Sequence, residues 1–109
     1  MNSKIIGFYS DLYWGEVRAE ATKYADQSLA VLLTYEGGLL ANLSTNIPSA
    51  GRLPPDCFYG KNWNENQEIF REAMKSGLFI LRADLPAGKS GFVSAPVVQI
   101  KWPNPPVKG

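Results

Sequence analysis

Two alternating apolar runs flank the triplet Glu36-Gly37-Gly38, and this pattern restricts the fold more than anything else in the chain. In Leu29–Tyr35, the residues Leu29, Val31, Leu33 and Tyr35 share one face. In Leu39–Thr45, the residues Leu39, Ala41, Leu43 and Thr45 share one face, opposite Asn42, Ser44 and Asn46. Period-two runs joined by glycines predict a β-hairpin. A two-residue Gly37-Gly38 loop would set Leu33 opposite Asn42 and send the apolar rows to opposite faces. A three-residue loop, Glu36 to Gly38, sets Leu33 against Ala41 and Val31 against Leu43. A one-residue slip flips every side chain, so the need for one buried face selects the second register. The expected turn is type I plus a bulge, with Gly38 left-handed.

Further strands are expected on either side. Lys4–Tyr9 is β-branched and aromatic. Asp11–Ala25 reads two ways: as a helix capped by Asp11 with Trp14, Val17, Ala21 and Tyr24 on a stripe, or as a strand from Glu16 with Val17, Ala19 and Ala21 alternating against charge. Pro48–Pro55 is a breaker-rich loop, and Cys57–Lys61 reads as a short edge strand. Asn64–Ser76 predicts a three-turn helix. Asn64 is its expected cap, Gln67 the return half of a capping box, Ile69, Phe70, Ala73 and Met74 its apolar stripe, and Gly77 its left-handed stop. Leu78–Arg82 reads as a strand, 84–91 as a turn region, and 92–102 as a last strand interrupted at Pro96. The expected class is α+β: an antiparallel sheet of about five strands with one helix (about 64–76) packed on a face. Residues 1–102 form a single domain in this reading, and 103–109 a proline-rich tail.

The chain has 109 residues, 45% hydrophobic and 19% charged, a globular mixture large enough for one core. The net charge of +1 disfavours a dedicated duplex-DNA binder, which needs a cationic footprint, and a DNA mimic, which needs an anionic one. The lone cysteine, Cys57, cannot form an internal disulfide. No signal-like or membrane-spanning run is legible, so a cytoplasmic setting is expected. Asn42-Leu43-Ser44 matches a glycosylation sequon by chance in that setting.

The order of the motifs carries a resemblance. Tyr24-Ala25-Asp26 leads into Leu29-Ala30-Val31. The glycine hairpin and 41–48 (ANLSTNIP) follow, then the aromatic stretch before Asn64-Glu65-Asn66, then Gly77-Leu78 and 91–97 (GFVSAPV). From Val17 to Ile100 this resembles a family of small domains of unknown function, common on plasmids, phages and conjugative elements. The resemblance implies a strand for Glu16–Ala25 and a cytoplasmic protein of a mobile element. It brings no catalytic residues.

Histidine is absent, which removes the usual neutral-pH base, the Ser-His and Cys-His pairs, and the commonest metal ligand. Asp56 beside Cys57 raises a thiol pKa rather than activating it. Glu65 and Glu68 suit a helix's first turn, and Asp11 with Glu16 shows no catalytic pattern. The glycine pair precedes a strand, not a phosphate-binding helix. No enzyme activity, metal or cofactor is therefore expected. Arg52, Tyr59, Lys61 and Trp63 form the candidate partner-binding set. The same groups suit a protein interface or single-stranded nucleic acid, while plain packing would have Tyr59 and Trp63 cover the sheet–helix joint, with Trp63 as a hydrophobic staple. Tyr13-Trp14 is a second candidate patch, and Trp102 with the following prolines a third.

The expected function is a non-catalytic protein-binding accessory protein of a mobile element, acting as an anti-CRISPR-like inhibitor that occludes a host protein surface. The alternative is a single-stranded nucleic-acid-binding protein in replication or conjugation. No membrane partner is expected. Subunit pairing, left open, would fall to edge strands near Cys57 and Pro96.

Overall fold

A computed structural model describes residues 4–64, 66–91 and 93–101. The tail at 103–109, Trp102 and Glu65 lie outside the described residues. The strands are β1 (Lys4–Ser10), β2 (Gly15–Lys23), β3 (Leu29–Tyr35), β4 (Gly38–Asn42), β5 (Ser44–Thr45), β6 (Cys57–Gly60), β7 (Phe79–Leu81), β8 (Gly88–Ser90), β9 (Val93–Ala95) and β10 (Val97–Ile100). One helix, α1 (Asn66–Lys75), lies between β6 and β7. The α+β class holds, with a single α-helix among the described residues. The strands divide between two sheets of four, ordered β1-β2-β3-β4 and β5-β6-β10-β7, with β8-β9 as a separate hairpin. All the pairings are antiparallel.

The first sheet is a meander whose inner face follows from simple alternation. Ile6, Phe8, Val17, Ala19, Ala21, Val31 and Leu33 are buried, while Glu16 and Arg18 face solvent. The strand that the resemblance implies for Glu16–Ala25 is present as Gly15–Lys23, and Tyr24 and Ala25 lie in the turn beyond it. The hairpin register also holds: Leu33 faces Ala41, and the Leu43 amide donates to the Val31 carbonyl. The turn that achieves it differs. Tyr35 pairs with Gly38 across a two-residue loop, Glu36-Gly37, both at positive φ (50° and 82°), a type I′ signature. Gly37, not Gly38, is the left-handed glycine. The register then shifts beyond Thr34–Leu39, with Leu40 as the extra residue, and this bulge restores the buried row.

Past Asn42 the chain leaves the first sheet and joins the second. Leu43 and Ser44 are consecutive buried residues, so the expected single face of Leu39–Thr45 breaks here. The Ser44 hydroxyl sits 2.9 Å from the Val31 amide, which donates to it, and 2.8 Å from the Tyr24 hydroxyl. The second sheet is covered on both faces. Phe58, Val98 and Ile100 enter the main core with Leu33, Leu43 and the helix. Cys57, Tyr59 and Val97 enter a smaller core with Ile47 and Ala95. This corrects the reading of Cys57–Lys61 as an edge: β6 is an interior strand between β5 and β10, buried at all four positions.

The helix packs against β1, β4 and β7 through Ile69, Phe70 and Ala73. Gly60 makes that approach possible, because a Cβ there would meet the Phe70 ring at 2.7 Å. Phe79 joins helix and sheets, edge-on to Phe8 (6.5 Å) and Phe58 (6.2 Å). Gly77 ends the helix at φ 81°, as expected. The start does not follow expectation. Asn64 is itself left-handed (φ 57°), and the helix begins at Asn66. Asn66 is buried, and its side-chain amide donates to the Asn42 carbonyl (2.6 Å) and the Lys61 carbonyl (3.2 Å). It thereby ties the end of β4 and the exit of β6 to the helix.

Candidate functional site

The four residues singled out from the sequence do not form one exposed patch. Tyr59 is 8% exposed, and its hydroxyl donates to the Ala50 carbonyl at 3.1 Å, so it anchors the 48–51 segment from inside. Trp63 is half-buried against the same small core as Tyr59, not against the helix, so it is no staple. Lys61 is half-buried, and its backbone is engaged at both ends, with Leu43 and with Asn66. Arg52 is exposed on the wall of a cleft of about 750 Å³.

That cleft runs between the β2–β3 turn and the 48–55 loop, floored by Phe58 and Tyr59. Lys23, Asp26 and Arg52 carry its charge, and Ile47, Leu53 and Pro54 its apolar wall. Asp26 accepts from both the hydroxyl and the amide of Ser28. Those bonds, the hydroxyl's first, hold its carboxyl below the usual range, with a smaller contribution from Arg52. Asp26 is thus an ionised turn-former.

The β1–β2 hairpin carries four large exposed apolar side chains, the others among the described residues being Leu39 on β4 and Ile80 and Leu81 on β7. Trp14 is 82% exposed, Tyr9 62%, Ile5 57% and Leu12 42%. The tip is held from two sides. One Glu72 oxygen on α1 accepts from the Ser10 hydroxyl (2.9 Å) and the Leu12 amide (3.4 Å), while Lys75 pairs with its other oxygen (3.3 Å). From the sheet side, the Tyr35 hydroxyl donates to the Tyr13 carbonyl (2.8 Å), and the two rings lie 5.6 Å apart. The Ser10 bond, aided by Lys75 and the Leu12 amide, holds the Glu72 carboxyl below its ordinary value. Trp14 leaves this frame at φ 57°. Left-handed backbone at a bulky side chain costs about 1–2 kcal/mol, so the frame imposes an orientation the residue would not adopt alone. The Tyr13-Trp14 pair was visible in sequence. Glu72, 60 residues from Leu12, was not, because nothing local links them. Tyr9 and Ile5 were hidden by a strand that is apolar on both faces.

Cys57 is buried, and its thiol pKa is pushed up, first by burial and then by Asp56. On the same side of the sheet, Arg82 bonds Asp84 (2.7 Å) and Gln99 (3.0 Å), and Gln99 in turn donates to Asp56 (2.7 Å). The Arg82 hydrogen bond holds the Asp84 carboxyl at about 2. These groups satisfy one another across β7, β10 and the entry to β6. Among the described residues no helix is long and apolar enough to cross a membrane. No family model, curated protein or solved structure matches the chain.

Proposed function

We propose that the chain is a non-catalytic protein-binding accessory protein of a mobile genetic element, and that it acts by occupying a surface on a host protein. The mobile-element setting rests on the sequence resemblance over Val17–Ile100. A defence complex such as a CRISPR effector is the partner class that suits it. The observation that carries the binding reading is Trp14: 82% exposed, strained, and held out by a braced hairpin tip beside Leu12. Tryptophan is enriched among the few residues that dominate interface energies, and a fixed backbone lowers the entropy cost of docking. This moves the contact from the Arg52, Tyr59, Lys61 and Trp63 set to the hairpin.

Tagged wild-type protein and a Trp14→Ala variant would be used to capture proteins from a nuclease-treated host lysate at moderate salt. A stoichiometric protein held by the wild type, with affinity reduced at least about tenfold in the variant, is expected; a hot-spot loss of 2 kcal/mol or more exceeds that factor. Equal capture by both proteins rejects the hairpin tip as the contact. Capture that vanishes with nuclease transfers the function to the alternative, single-stranded nucleic-acid binding.

A further inference from the structure

Three of the four edges of the two four-stranded sheets are blunted. β4 carries the Leu40 bulge, β5 is two residues long, and β7 is three. β1 is different: seven residues with no register shift against β2, and neither proline nor charge from Ile5 to Ser10. Among the described residues, its backbone bonds reach β2 alone. Short length, bulges, charge and proline are how soluble sheets prevent edge pairing, and of these β1 carries only the charge of Lys4, at its first residue.

We infer that β1 pairs antiparallel with β1 of a second copy, about a two-fold axis at Gly7, to make one continuous eight-stranded sheet. The strand is self-complementary about that residue. Antiparallel pairing centred on Gly7 matches all seven residues and sets Ile5 of each copy against Tyr9 of the other. These two are 57% and 62% exposed in the single chain. Centring on Ile6 or Phe8 leaves Tyr9 or Ile5 without an apolar partner. Cross-strand aromatic and β-branched pairs are among the favourable ones in antiparallel sheets. A second copy therefore fits this edge in a way that an arbitrary strand does not. The dyad also brings the Glu16–Arg18 ion pair of each copy together as a neutral quartet, since Glu16 lies over Gly7. The inference is independent of the hairpin-tip reading, because it needs neither Leu12 nor Trp14.

Purified protein alone tests it. Sedimentation at about 100 μM, suited to an interface smaller than the standard size, is expected to give about twice the 12.0 kDa chain mass. Ile5→Lys places a charge at the pairing and is expected to weaken the dimer at least about tenfold. Leu39→Lys, the same change at an exposed site on β4, leaves it intact. Gly7→Cys gives a direct readout. Opposed Cα atoms in an antiparallel pair are about 4.5–5.5 Å apart, within disulfide range. The three heavy atoms nearest the added Cβ all belong to the flexible Glu16 side chain, which must swing aside, and Cys57 is buried. Mild oxidation should link Gly7→Cys into a covalent dimer, but not Leu39→Cys. A wild-type monomer at this concentration, or equal cross-linking of the two cysteine variants, overturns the pairing and leaves the edge to a strand from another protein.

Discussion

Asn66 shows how much one buried polar side chain can organise. Its amide protons satisfy two carbonyls from segments 24 and 5 residues away, at the point where helix and both sheets converge. Truncation leaves those carbonyls without a donor in a largely buried place. Asn66→Ala is expected to lower stability by about 2 kcal/mol, seen as a lower urea midpoint at unchanged slope; a shift under about 0.5 kcal/mol would show the bonds to be replaceable by water. The sequence could not reveal this role. Asn64 and Asn66 are both of a type that caps helices, and local pattern favours the first. Tertiary demand draws the second inward and leaves Asn64 in a left-handed turn. Tyr59 was misplaced for a related reason: an aromatic beside a lysine reads as surface until its hydroxyl is seen on the Ala50 carbonyl.

At the scale of elements, the β3–β4 hairpin separates what patterning determines from what it leaves free. The buried rows dictated that Leu33 face Ala41, and it does. They did not dictate where the extra residue goes, because a bulge at the turn and one at Leu40 produce the same inward row. Once the loop is Glu36-Gly37, Glu36 stands in a conformation that asparagine tolerates better. Glu36→Asn is therefore expected to stabilise the protein by about 0.5–1 kcal/mol, raising the melting temperature by a few degrees; no change would place the limiting strain elsewhere. The helix was legible because a stripe at helical spacing and a terminal glycine depend only on neighbours. β6 was not. Its four residues feed two cores, so it lacks the alternation that marks a strand with one wet face.

The division into two sheets belongs to the whole molecule and turns on Leu43 and Ser44, adjacent residues both buried because the strand changes sheets between them. The same integration links distant carboxylates to stability. Glu72, Asp84 and Asp26 all have pKa values below their ordinary ones in the fold. Such groups stabilise fully above the unfolded-state pKa. As pH falls below about 5, the unfolded chain takes up protons first and stability declines, continuing toward about 2 for Asp84. The urea midpoint should fall steadily from pH 5 to pH 2.5, and a Ser10→Ala, Asp84→Asn double variant should show a shallower fall. Parallel curves would mean that other groups govern acid unfolding.

The position of β10 bears on how the chain reaches this state. The first sheet is a sequential meander, each strand pairing with the next, and loops this short close quickly. The second sheet has a vacancy between β6 and β7 that is filled by the strand latest in chain order. During synthesis, then, β1 to β4 can assemble as they emerge, while Phe58 and Phe79 wait without the strand that joins them. At roughly 5–20 residues per second, the interval between the emergence of β6 and that of β10 lasts a few seconds. For that time the nascent chain exposes the apolar edges that β10 finally seals.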